Sequence, residues 1–265
     1  MKTVVCVKAV PHIIGSVRLQ ENSRDIVRSD FSYKINDTDD NALEEAILLR
    51  ERYGGKVTVL TLCPRQEQDN SKQILWECYA KGADEAVLLV DELFANIDTY
   101  VAAKVLANAI QAIPYDLVLT GSQGLDDNFG HVGPMAAAFL GVPYATLALK
   151  IQATPEKLMV WTELDDGFRQ VVELTPPAVV TVQSGINEPR YASLSRIRAA
   201  QNKPIRILSA NDLNVSADSI ELWRKWTVQS FSLPRKNEIQ FIDGTLEEVT
   251  STLAELIRKI RETNP

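Results

Sequence analysis

Residues 56–90 read KVTVLTLCPRQEQDNSKQILWECYAKGADEAVLLV, and this stretch decides the fold. Residues 56–62 are a β-branched and aliphatic run of strand length. Residues 71–81 carry a helical pattern that Gly82 stops. Residues 85–90 are again apolar and short. A strand, a helix and a second strand in that order make a right-handed crossover, which lays the two strands parallel.

The same alternation extends outward over the first 150 residues. Residues 4–7 form a first strand. Residues 39–52 form a helix with Ala42, Leu43, Ala46 and Leu49 on one stripe. Residues 99–112 form another helix, with Val101, Val105, Leu106 and Ile110 on its face. Residues 116–120 are a fourth strand, Gly121 opens a long polar loop, and residues 134–140 resume helix. The pattern then changes. Residues 157–162, 169–174 and 178–182 are strand-like with short gaps and are expected as antiparallel additions to the same sheet. Asp165, Asp166 and Gly167 between two of them read as a hairpin turn. Residues 183–202 are polar and irregular with one short helical stretch, and residues 203–243 hold little regular pattern. Residues 245–261 are a clear terminal helix, with Leu246, Val249, Leu253, Leu256, Ile257 and Ile260 on one face. Trp223, Trp226 and Phe231 sit on the stretch before it and suggest burial against another chain. The fold class is therefore α/β: a mostly parallel sheet with helices on both faces, antiparallel additions and a C-terminal arm.

Composition excludes several functions. The 265 residues carry a formal charge of −7 and a pI near 5.0, which argues against nucleic-acid binding. No apolar run reaches the length of a membrane span, and the N-terminus reads as a strand, not a signal peptide. Cys6, Cys63 and Cys78 show no metal or CxxC spacing, so no metal is expected and a reducing cytoplasm fits. His12 and His131 lie near no nucleophile or carboxylate motif, so no catalytic residue is assigned.

Two stretches carry binding chemistry. The loop of Gly121, Ser122, Gln123, Gly124, Leu125, Asp126, Asp127, Asn128, Phe129, Gly130, His131 and Val132 follows a strand and precedes a helix. In an open parallel sheet, ligands sit at the carboxyl ends of strands near a switch in strand order. Glycines admit close backbone approach, and a helix start holds phosphate. A polar connector fits this loop as well; there is no G-x-G-x-x-G and no Walker lysine. The stretch Asn36, Asp37, Thr38, Asp39, Asp40, Asn41 precedes the first long helix. It reads either as helix capping or as an entrance lying beside the 121–133 loop.

Residues 163–182 add a family pattern to these readings. Asp165-Asp166-Gly167, then Gln170, Val172 and Pro177-Ala-Val-Val-Thr181, resemble the signature of electron transfer flavoprotein β-subunits, although Thr162 stands where that family has Lys or Arg. Val5-Cys-Val-Lys-Ala-Val-Pro11, Ala42-Leu-Glu-Glu-Ala46 (with Asp37 in place of Pro), Lys81-Gly-Ala-Asp84 and Asn187-Glu-Pro-Arg-Tyr-Ala-Ser-Leu194 are similar to further stretches of it. The resemblance implies a Rossmann-like scaffold of the adenine nucleotide alpha hydrolase type. It implies a heterodimer with an α-subunit that carries the main FAD, and AMP or a second FAD in this subunit. Cys6, Asn36, Asp37, Thr38, Asp39, Leu62 and Gly121 through Val132 would line that nucleotide site. Residues 183–203 would be the loop recognised by an acyl-CoA dehydrogenase-type flavoprotein, with Tyr191, Leu194 and Ile197 facing it and Leu194 as anchor. Glu163 would stand near the mobile flavin. Residues 1–204 would be the nucleotide-binding domain and residues 205–265 an arm and helix docking on the α-subunit.

The expected function is electron shuttling between a flavin dehydrogenase and another redox partner. Gly130, Val132 and the Val132-Gly-Pro134 run resemble the bifurcating subset, in which a second FAD here oxidises NADH. A stand-alone nucleotide-binding protein of the universal-stress type shares the scaffold, but has little use for a long polar loop and an apolar terminal helix.

Overall fold

Strands that are apolar at every position need cover on both faces, and the architecture supplies it. The computed structural model describes residues 1–13, 15–21, 25–28, 31–154, 156–233 and 241–263. Seven strands run parallel: β1 (Lys2–Cys6), β4 (Lys56–Pro64), β5 (Glu85–Asp91), β6 (Leu117–Gly121), β7 (Tyr144–Ala153), β10 (Ala178–Val182) and β11 (Ile205–Leu208). Two antiparallel strands, β8 (Leu158–Glu163) and β9 (Arg169–Leu174), extend β7. The order across the nine-stranded sheet is β11-β5-β4-β1-β6-β10-β7-β8-β9. From β1 the chain builds outward through β4 to β5, then returns to the other side of β1 with β6. The order therefore reverses between β1 and β6, and a crevice opens there at the carboxyl ends.

Successive side chains of a strand point to opposite faces. Val5, Val59 and Leu119 meet α1 (Asp37–Tyr53) and α2 (Gln68–Lys81) through Leu43, Ile47 and Leu75. Val4, Leu60 and Val118 meet α3 (Thr99–Gln111) and α4 (Val132–Leu140) through Val105, Ile110 and Ala137. The sheet is thus the middle of three layers, as the alternation predicts.

Residues 178–182 correct the expectation of an antiparallel addition: β10 pairs parallel with both β6 and β7. All five of its residues are buried, the mark of a strand covered on both faces. β7 goes unpredicted because its alternation is broken. Leu147 has a positive φ of 57°, and the register shifts on either side of it. A small separate ladder, β2 (Ala9–His12) with β3 (Ser32–Ile35), was likewise unpredicted, and it puts His12 at the exposed end of a strand. The 165–167 hairpin forms as expected, with Asp166 and Gly167 at positive φ.

The boundary expected at residue 204 falls just before β11, which pairs with β5, and Leu213, Val215 and Ile220 pack into the second core beneath α3. Trp223, at the end of α6 (Ala217–Trp223), packs against that core as well, with Lys104 over its ring. Before the terminal α7 (Leu246–Thr263), Thr245 and Glu248 form a reciprocal capping box. The apolar side chains Leu246, Leu253, Leu256, Ile257 and Ile260 of α7 are exposed. No helix among the described residues is long and apolar enough to cross a membrane.

Leu119 is fully buried at the centre of β6, whereas Leu222 on α6 is mostly exposed. Leu119→Ala should cost about 2–5 kcal/mol and Leu222→Ala within about 0.5 kcal/mol. Urea unfolding checks this as a lowered midpoint at unchanged slope for the first and no shift for the second.

Candidate functional site

The crevice between β1 and β6 encloses about 230 Å³. That is near the lower end of small-molecule clefts, roughly 300–1,000 Å³. Its two sides differ in chemistry. Leu60, Leu62, Phe94, Ile97, Ala102 and Leu106 make an apolar wall, while the end of β1, the start of α1 and the 121–133 loop make a polar one.

Among the residues expected from sequence, Cys6, Asn36, Asp39, Leu62, Gly121, Ser122, Gln123, Gly124, Asp127, Phe129, Gly130, His131 and Val132 line the crevice. Asp37, Thr38, Leu125, Asp126 and Asn128 stand behind or beside that lining. The Thr38 hydroxyl donates to the Gln123 carbonyl at 3.0 Å, and the Leu125 N–H donates to Asn36 Oδ1 at 2.9 Å. Asp126 pairs with Lys8 at 2.8 Å, and the Asn128 N–H closes a turn on Gly124 O. Asp37 faces out in an ion pair with Lys34. The entrance to α1 thus lies against the loop. Capping does not explain Asn36, which stands at the N-cap without a side-chain cap bond; its amide spans to the Gln123 carbonyl at 2.9 Å instead.

Asp39 binds the pieces together. Its carboxylate accepts from the Lys8 N–H at 2.8 Å and from the Gly121 N–H at 2.9 Å, so the first turn of α1 holds the carboxyl ends of both β1 and β6. Burial pushes its pKa up to about 7 against the pull of these donors. Gly121 must be glycine, because a Cβ there would lie 2.3 Å from Asp39 Oδ1 and Thr38 Oγ1. Gly133 is equally constrained: its Cβ would meet Thr181 Cγ2 at 2.5 Å. Its absence lets α4 begin directly on the strand ends.

Three helices start at the crevice; α1 carries Asp37, Asp39 and Asp40 in its first turn, and the other two differ in what they offer. At α3, Asp98 caps its own helix, accepting from the Val101 N–H at 2.8 Å. At α4, His131 occupies the N-cap without a cap bond, and the first turn contains no acid. The leading amides of a helix lack intrahelical partners and favour an anion, so α4 is the start left for one. The acids in the loop are partly offset. Burial opposes the charge of Lys8, but Asp126 and Asp127 outweigh it and raise the lysine's pKa, so one cation from beyond β1 is held against the two carboxylates at 2.8 and 3.0 Å. Burial, with Asp39 nearby, pushes Cys6 up to about 12, and burial pushes Cys63 up to about 11. These thiols are neutral walls, not nucleophiles. Among the described residues no group of His, Cys, Asp and Glu is placed to hold a metal.

Sequence reading missed Lys8 and Asp98, and it expected Trp226 against another chain, whereas its ring lies on Phe129 of this one. The second oxygen of Asp98 accepts from the backbone N–H groups of Lys225 and Trp226 at 2.5 and 3.1 Å. That draws the Trp226 ring edge-on to Phe129 at 5.3 Å, and Phe129 stacks on His131 at 5.8 Å. Aromatic rings therefore edge the loop side of the site. Nothing local marks Trp226, which comes 97 residues after Phe129 in the chain.

The residues expected to face a partner lie elsewhere. Tyr191 and Leu194 are strongly exposed, Leu194 opens the short helix α5 (Leu194–Ala200), and Ile197 on it is half-buried. Glu163 ends β8 opposite Arg169, beside the exposed Leu164 and Phe168.

A sequence model of the electron transfer flavoprotein domain matches residues 25–213. The chain is 37% identical over 258 residues to the electron transfer flavoprotein subunit beta of Thermoanaerobacterium thermosaccharolyticum, covering 96% of this chain and 97% of that one. It is 34% identical to the subunit of the same name from Clostridium acetobutylicum, over 99% and 98% of the two chains. It is 33% identical to subunit CarD of the caffeyl-CoA reductase-Etf complex of Acetobacterium woodii, over 99% and 98%.

Asp39→Asn replaces one acceptor oxygen by an amide NH2 that faces a buried N–H donor. A loss of about 1–3 kcal/mol is expected, read as a lower urea midpoint. Unchanged stability would mean that the carboxylate does not hold the two strand ends.

Proposed function

The chain belongs to the electron transfer flavoprotein family, as a β-subunit, and we propose that its crevice holds an adenine nucleotide which fixes this subunit for pairing with an α-subunit. The observation that carries the reading is the pairing of an apolar wall with the uncapped start of α4, across a switch in strand order. A purine ring suits the side of Leu60, Leu62 and Leu106, and a phosphate suits the amides of the loop and α4. An adenine nucleotide here supplies no redox chemistry. The α-subunit's FAD supplies that, and this chain's part is to seat the nucleotide, present a docking surface and carry the electron donor or acceptor to the flavin.

In this reading the heterodimer is cytoplasmic and shuttles electrons between an acyl-CoA dehydrogenase-type flavoprotein and a second redox partner. Leu194, projecting from a polar segment, anchors the dehydrogenase, and the bare apolar face of α7 packs on the α-subunit. A second reading has one specific support. Phe129, His131 and Trp226 give the site an aromatic edge on which an isoalloxazine could stack, so that FAD replaces AMP and the subunit takes part in bifurcation with NADH. The resemblance to CarD of a CoA reductase-Etf complex fits a chain that serves such reductions.

Two measurements test this. Acid extraction of the co-expressed heterodimer should release one AMP and one FAD per pair; two FAD and no AMP would establish the second reading, and no nucleotide beyond one FAD would sink the crevice assignment. Leu194→Ala should weaken docking by roughly 1–3 kcal/mol and leave nucleotide content unchanged. Electron transfer from the dehydrogenase reads this as a raised KM.

A further inference from the structure

Helix α1 carries a polar stripe that is buried although it points away from the sheet. Asn41, Glu44 and Glu45 lie at helical spacing on one face and are each less than 9% exposed. What covers them is the segment 187–190, which belongs to no strand. Asn187 and Asn41 bond reciprocally: the Asn41 amide donates to the Asn187 carbonyl at 3.0 Å, and the Asn187 amide donates to the Asn41 carbonyl and to Glu45 Oε2, both at 3.1 Å.

Three residues on, Arg190 forms a denser clamp. Its Nε and Nη2 grip the two oxygens of Glu44 at 2.8 and 2.9 Å, its backbone N–H donates to the same carboxylate at 3.0 Å, and Nη1 reaches Glu51 at 2.8 Å. A two-pronged guanidinium–carboxylate pair fixes direction as well as distance, which a lysine cannot reproduce. Beyond it the chain emerges in two steps: Tyr191 is 81% exposed, Ala192 turns back in at 5%, and Leu194 is 70% exposed. Ala200 is buried against the core at the far end.

We propose that Arg190 is the positioning residue of the docking segment: its clamp on Glu44 and Glu51 sets the direction in which Leu194 projects, without itself meeting the partner. This rests on the docking role assigned to Leu194 above. Binding energy from a single apolar anchor is realised only if the anchor is presented in place; a loose foot makes the partner bear the ordering entropy. The same α1 that fixes the crevice at its first turn therefore fixes the anchor along its flank.

The test uses the co-expressed heterodimer and the acyl-CoA dehydrogenase of the source organism that reduces it, supplied with saturating acyl-CoA. Arg190→Lys keeps the charge and a foldable chain but loses the fork, and Glu44→Gln weakens the same clamp from the other side. Each should raise the KM for the dehydrogenase by about tenfold with kcat and flavin content unchanged. Amides of residues 191–197 should exchange hydrogen faster, and the double variant should be no worse than the worse single one. An unchanged KM in Arg190→Lys, with Leu194→Ala impaired, overturns the positioning role alone. If Leu194→Ala is also without effect, the docking reading falls and this inference falls with it. A drop in thermal stability or kcat with an unaltered KM also counts against it, since a purely structural clamp would behave that way.

Discussion

The buried carboxylate of Asp39 is the constraint on which the rest of the molecule turns. Two strands that diverge in connectivity, β1 and β6, end side by side, and each presents a backbone N–H at its end that the sheet does not satisfy. One side chain from the first turn of α1 accepts both. A buried amide left without a partner costs about twice what an ordinary hydrogen bond contributes, so this arrangement leaves little freedom in where α1 begins. With α1 fixed, Asn36 and Thr38 have one place to bind the loop, Gly121 has no room for a side chain, and the crevice takes its shape. Drawing the group out of water to do this is what raises the pKa of Asp39.

How far the sequence reveals this varies by scale. The β4–α2–β5 unit and α3 are legible because burial on both faces demands continuous apolar strands, and a single buried stripe demands a 3.6-residue period. β7 is not, because the positive φ at Leu147 resets its alternation in mid-strand and leaves it resembling neither template. The direction of β10 is lost for a different reason: four apolar residues and a threonine say that a strand is central but not which way it runs. The site divides in the same way. Glycines, a helix start and a strand end mark the 121–133 loop locally. Lys8 and Trp226 matter through contacts that cross more than 90 residues of chain, to Asp126 and Phe129, and no local pattern records those. Asp98 is silent for a related reason, since one of its oxygens does the ordinary capping of α3 and only the other holds the 225–226 backbone, far along the chain.

The contrast between α3 and α4 shows how composition at a helix start allots roles. Both begin at the crevice and both carry the positive end of a helix dipole. Asp98 fills one of these ends from within the chain, and the bonds it makes there extend the fold toward the C-terminal segment. His131 leaves the other end open. One substitution of residue type thus separates a helix that is used for structure from one that is available to a ligand.

The place of β10 carries a consequence for how the polypeptide assembles as it leaves the ribosome. β7, β8 and β9 are made before β10, yet β10 lies between β6 and β7. Until residue 182 has emerged, the nascent chain has two separate pieces: a half-sheet ending at β6 and an antiparallel meander beginning at β7, each with a bare hydrogen-bonding edge. Such edges invite pairing with any strand at hand. β10 is the keystone that closes both at once, so the unfinished chain is most exposed to intermolecular association in the interval between residues 153 and 182.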